Sequence, residues 1–146
     1  MRVVVVVVGS VVVFGFVLLP IRIRGNSMHP AYRDGGINFV NRLAYVWSQP
    51  RRGDVVAIKT SGVHIMYLKR VIGLPGETIA IANGIVLIDD QPLNEPYVKA
   101  RGDWEVPAQK LSVDQYFVIG DNRGMDQRSH SFGEVRAGKI AGKVLW

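Results

Sequence analysis

A mainly β fold, a barrel or a sandwich, preceded by one membrane-spanning helix, is what this sequence predicts. Three observations predict it. Seven short apolar stretches recur after residue 24, separated by Gly, Pro, Asn and Asp. No long segment in that region repeats its apolar residues at the helical period. Before it, residues 3–19 form one run of 17 apolar or small residues without a charge.

That run, rich in Val and ending at Pro20, is too long for a buried strand. As a helix rising about 1.5 Å per residue it spans roughly 26 Å, the short end of a bilayer crossing. Lipid cannot satisfy backbone polar groups, so the segment is expected to be helical although Val is a poor helix former. A cleavable signal peptide would need a small-residue site after the apolar core. The chain instead continues Pro20-Ile21-Arg22-Ile23-Arg24, which favours an uncleaved anchor. Arg2 on one side and Arg22 and Arg24 on the other leave its orientation open.

The expected strands are Ile37–Val40, Val55–Ile58, Ile65–Ile72, Thr78–Ala82, Ile85–Ile88, Tyr116–Ile119 and Ile140–Trp146. Asn83-Gly84 between two of them signals a type I′ hairpin. Leu74-Pro75-Gly76-Glu77 suits a type II turn. The polar and aromatic stretch Pro92–Pro107 reads as a loop. The chain thus divides into an anchor and juxtamembrane link, 1–24, and a β-rich domain, 25–146.

Composition removes several function classes. With no cysteine there is no disulfide, thiolate metal site or Cys nucleophile. Three dispersed histidines, His29, His64 and His130, offer no ligand pair, so neither metal nor other cofactor is expected. The formal charge of +6 comes from scattered Lys and Arg. They form no basic run with interleaved aromatics, which argues against nucleic acid.

Two residues could carry chemistry together. Ser27 lies just beyond the anchor in the irregular segment Gly25-Asn26-Ser27-Met28-His29-Pro30. Lys69 lies inside an apolar strand, where alternation puts Tyr67, Lys69 and Val71 on one face and Leu68, Arg70 and Ile72 on the other. A serine hydroxyl needs a base. An ordinary lysine, pKa about 10.4, is almost wholly protonated at pH 7, but burial disfavours the ammonium. Arginine could not serve, because its guanidinium does not deprotonate. By themselves, the two read more readily as a turn serine and a surface lysine.

Four stretches together resemble the type I signal peptidases. Gly25-Asn26-Ser27-Met28-His29-Pro30 is similar to that family's nucleophile box, and Arg52-Gly53-Asp54-Val55-Val56 to its next strand. Tyr67-Leu68-Lys69-Arg70-Val71-Ile72-Gly73-Leu74-Pro75-Gly76-Glu77 resembles its lysine box, the most specific of the four. Gly120-Asp121-Asn122-Arg123 resembles the opening of its last box. The resemblance runs from Gly25 to Trp146.

It implies a coiled β-barrel, of the kind shared with the self-cleaving SOS-response repressors, resting an apolar surface on the bilayer. It implies a Ser27 nucleophile, a Lys69 general base and the Ser27 N–H in an oxyanion hole. Some relatives add a serine hydroxyl two residues before the nucleophile; Gly25 stands there. The substrate, the signal-peptide region of an exported preprotein, would add as a β-strand along Gly25, Asn26, Met28, Met66, Tyr67 and Leu68. Small residues would precede the cut, in the A-x-A manner. Pro30, Arg70, Gly120, Asp121, Asn122 and Arg123 would support the site, with Arg70 and Asp121 as an ion pair. The implied setting is a bacterial inner membrane, crossed once, with the β domain on the outer side.

The last box departs from the family pattern. Asp126 replaces a serine expected to hydrogen-bond the lysine, Arg128 an acid, and His130 an arginine. A carboxylate beside Lys69 would raise its pKa and oppose its use as a base. Either Asp126 points away and Ser129 or water takes that place, or the site works differently. His130 would be a smaller partner for Asp121. Two alternatives stand beside a general signal peptidase: a specialised relative such as a conjugative-pilin maturation peptidase, and an inactive membrane-tethered β domain. A self-cleaving repressor is set aside, because Ala137-Gly138 and Ala141-Gly142 lie downstream of Ser27.

Overall fold

The computed structural model of the chain describes residues 13–60 and 66–145. A single π-helical turn, Val13–Val17, leads into eleven strands. In chain order they are β1 Leu18–Arg22, β2 Ile37–Asn41, β3 Val55–Lys59, β4 Met66–Gly73, β5 Thr78–Ala82, β6 Ile85–Ile88, β7 Gln91–Pro92, β8 Val106–Lys110, β9 Gln115–Ile119, β10 Gly133–Arg136 and β11 Ile140–Leu145. They form a seven-stranded sheet ordered β1-β2-β11-β3-β4-β9-β10 and a four-stranded sheet ordered β7-β6-β5-β8. Neighbours in both sheets run antiparallel.

The seven expected strands are present, with ends moved by a residue or so; Ile65 and Trp146 lie outside the described residues. β3 and β9 read as unbroken apolar runs because both faces of the sheet are covered there: Val55–Ile58 and Tyr116–Ile119 are all buried. β5 alternates instead, turning Ile79 and Ile81 inward. Gly76 and Gly84 take φ of 84° and 73°, as the two expected turns require.

The two sheets meet over Ile72, Phe117 and Ile119 from the larger and Ile79, Ile81 and Val86 from the smaller. Leu111 and Trp104, the latter from the irregular segment 93–105, complete that cluster. A second cluster, around Met28, Val40, Val55, Ala57 and Val144, lies beneath the segment that carries Ser27.

Two expectations are corrected. The larger sheet is not closed into a barrel: β1 and β10 are its two edges. The helix expected over 3–19 does not reach Leu19, because Leu18–Arg22 pairs with β2 and packs Leu19 and Ile21 against the Met28 cluster. Residues 3–12 lie outside the described residues. Among the described residues no helix is long and apolar enough to cross a membrane.

The strands missed by sequence, β1, β7, β8 and β10, share a cause. They lie at or beside sheet edges and are held mainly by backbone pairing. β8, with Pro107 and a largely exposed face, carries no strand pattern to read.

Candidate active site

Lys69 stands on β4 at the point where that strand changes neighbours. Residues 66–70 pair with β3, whereas β9 pairs only from Arg70 onward. On the side away from β3, Met66–Lys69 therefore has no strand partner among the described residues. The turn carrying Ser27 is half-buried and anchored by Met28, 2% exposed, so the hydroxyl is held at the surface over a packed base.

Lys69 Nζ lies 2.8 Å from Ser27 Oγ. Lys69 is 3% exposed. Burial lowers its pKa to about 8, with the Asp121 carboxylate pulling weakly the other way. Burial thus raises the fraction of neutral amine beside the hydroxyl.

The last box grips the Ser27 turn from behind. The Asn122 N–H donates to the Ser27 carbonyl at 3.0 Å, and Asn122 Nδ2 donates to the Asn26 carbonyl at 3.0 Å. Gly120 has no room for a side chain: a Cβ there would overlap the Ser27 carbonyl oxygen and the His130 ring. Asp121, fully buried, accepts from Arg70 Nε at 2.8 Å and Nη2 at 2.5 Å. Arg70 also donates to the Gly53 carbonyl at 2.7 Å.

A family model described as signal peptidase, peptidase S26, matches residues 1–146. The chain belongs to the signal peptidase family. Membership places it within a family of serine endopeptidases. The signal peptidase I of Leptolyngbya laminosa is 34% identical over 131 residues, which cover 84% of this chain and 64% of that protein. The signal peptidase I of Bacillus licheniformis is 32% identical over 152 residues, 96% of this chain and 81% of that protein. A crystal structure of a signal peptidase I from Enterococcus faecalis superposes with a TM-score of 0.52 at 25% identity, covering 67% of this chain and 98% of that one.

The remaining residues of the signal peptidase boxes fall as follows. The Gly25 N–H donates to Asp34 Oδ1 at 2.7 Å, and Pro30 is exposed after a cis His29–Pro30 peptide. Met66 and Leu68 pack against the Met28 cluster, while Tyr67 is 47% exposed. Asp126 points away from Lys69: its carboxylate caps the 3-10 turn Gln127–Ser129 by accepting from the Arg128 N–H at 2.8 Å. Ser129 is exposed and, among the described residues, does not bond Lys69.

His130 is not the partner of Asp121. Its Nε2 accepts from the Gly120 N–H at 3.0 Å, its ring meets Trp104 edge-on, and its buried Nδ1 has no partner among the described residues. Burial, then the nearby Lys69 and Arg123 charges, lower its pKa to about 3. A neutral ring fits an acceptor role and not an ion pair.

Sequence reasoning missed Glu95, Tyr97 and Trp104, all in the segment assigned to a loop. Glu95 is 2% exposed and binds Arg123; Trp104 Nε1 donates to the Met125 carbonyl at 2.9 Å. A lone acid and a lone tryptophan in a polar stretch have no period, so nothing local marks them as buried.

Proposed function

We propose that this chain is a membrane-tethered serine endopeptidase that removes signal peptides from exported preproteins after small residues. The observation that supports this most is the 2.8 Å approach of Lys69 Nζ to Ser27 Oγ at a buried lysine whose pKa is lowered to about 8. In the reactive state the neutral Lys69 amine accepts the Ser27 hydroxyl proton as Oγ attacks the scissile carbonyl. The ammonium then returns that proton to the departing amine. Water, deprotonated by the same amine, cleaves the acyl-enzyme and regenerates Ser27.

Among the described residues the Ser27 N–H has no hydrogen-bond partner, which suits a donor to the tetrahedral oxyanion. The side of Met66–Lys69 away from β3, which has no strand partner among the described residues, suits an added substrate strand, which would bring its carbonyls past Ser27. Asp126 turned toward its own 3-10 turn leaves the lysine free of a second carboxylate, which supports an active enzyme over an inert β domain.

The tether is proposed from the apolar residues 3–17. Arg42 holds the described end of that segment, its N–H donating to the Val17 carbonyl at 2.9 Å and its Nη1 to the Gly15 carbonyl at 3.3 Å. Phe16, Leu43, Val46 and Trp47 are exposed, with Trp47 87% accessible, a composition suited to a lipid interface.

Incubating the detergent-solubilised protein with an A-x-A preprotein tests the reading. Cleavage by wild type, and none by Ser27→Ala or Lys69→Arg, is the expected result. Undiminished cleavage by Lys69→Arg would rule out the neutral amine. The breadth of preproteins cut separates a general peptidase from one serving a single pilin-like substrate.

A further inference from the structure

We propose that Glu95, in the irregular segment 93–105, is a positioning residue for the reaction proposed above, and the proposal rests on that reading. Glu95 touches neither member of the dyad. It acts through Arg123, and both side chains are sealed from solvent, each residue being 2% exposed. Arg123 Nη2 donates to Glu95 Oε1 at 2.6 Å and Nη1 to Oε2 at 3.4 Å. Arg123 Nε then donates to the Gly120 carbonyl at 2.7 Å. Gly120 is the residue packed directly behind the Ser27 carbonyl, and Asn122, two residues on, donates to that carbonyl at 3.0 Å.

The chain of contact therefore runs from Glu95 to Arg123, to the Gly120 backbone, and to the peptide that bears the nucleophile. A guanidinium remains buried only while an anion offsets its charge. In the last box Asp121 pairs with Arg70, Asp126 caps its own turn and Arg128 adds positive charge, so the box does not neutralise Arg123 itself. Glu95 provides that anion from a distant stretch of chain. The Tyr97 hydroxyl fixes the carboxylate by donating to Oε1 at 3.0 Å, and the Arg70 guanidinium lies 4.1 Å above the Tyr97 ring. The two cations of the site, Arg70 and Arg123, are thus both braced by one short segment, Glu95 to Tyr97. Without the carboxylate, Arg123 leaves for solvent, and the Gly120 backbone loses the donor that holds it against Ser27.

The test begins with wild type and Ser27→Ala on an A-x-A preprotein. Failure of wild type to cleave defeats the functional reading and leaves the positioning role to be judged by amide exchange alone. Glu95→Gln is expected to lower kcat at least tenfold with KM within twofold, and to speed exchange of the Gly120 and Asn122 amides at least tenfold. Glu95→Asp, which keeps the charge, is expected to return kcat to within threefold of wild type. Should Glu95→Gln not fold, the pair Glu95→Leu with Arg123→Met, which leaves no buried charge, takes its place under the same criteria. A folded variant that retains kcat within twofold, or whose Gly120 and Asn122 amides exchange at the wild-type rate, overturns the proposal.

Discussion

Lys69 sets the pH behaviour of the site. With a pKa of about 8 against the ordinary 10.5, roughly a tenth of the lysine is neutral at pH 7, in place of about 0.03%. The expected kcat/KM rises about tenfold per pH unit below pH 8 and levels off above it; a flat profile from pH 6 to 9 would point to a different base. The same burial costs stability. Because the folded pKa lies below the unfolded one, folding releases a proton between pH 8 and 10.5, and stability climbs across that window as pH rises. Below about pH 8 the full penalty applies, on the order of 3 kcal/mol. Lys69→Met is therefore expected to raise the unfolding free energy at pH 7 by about 1–3 kcal/mol while abolishing cleavage. Urea titration of the two proteins at pH 7 measures it, and a less stable Met variant would contradict the assignment.

Among the elements, the last box carries most of the site's precision. Gly120→Ala pushes a methyl group into the Ser27 carbonyl and the His130 ring. Overpacking of this kind costs about 1–3 kcal/mol, and the displaced turn should lower kcat by about 100-fold. Gly138→Ala, which enters open space, serves as the control and should change neither quantity. The box is also acid-sensitive. His130 is held neutral down to about pH 3, whereas an unfolded histidine protonates near 6.5. Stability contributed by its neutral form is complete above pH 6.5 and is lost as pH falls toward 3. Lys69 and Arg123 both face the ring and oppose its protonation. Thermal melts between pH 7 and 4 should show a falling Tm, and His130→Gln should flatten that fall.

At the scale of the whole molecule, an open seven-stranded sheet and a smaller sheet share one core, and the Ser27–Lys69 contact sits where β4 parts from β9. Phe16, Leu43 and Trp47 are exposed, and Arg42, next to Leu43, donates to the Gly15 carbonyl beside Phe16. Trp47→Ser is expected to weaken binding to phospholipid vesicles several-fold in a sedimentation assay, with the Tm unchanged. Equal partitioning of the two proteins would remove these side chains from the membrane surface.

Local chemistry by itself determined the central strands and the two glycine turns, and the four short boxes singled out residues 27 and 69. Each of these is written within a few residues, in an apolar run, a dipeptide or a short box. What depends on distant partners was decided only by the tertiary structure: the pairing of Leu18–Arg22 as a strand, the open sheet, Asp126 turned onto its own turn, and Glu95 buried against Arg123. Burial of an apolar face leaves a period in the sequence, whereas a buried polar side chain needs a partner from anywhere in the chain, and that partner leaves no period to read.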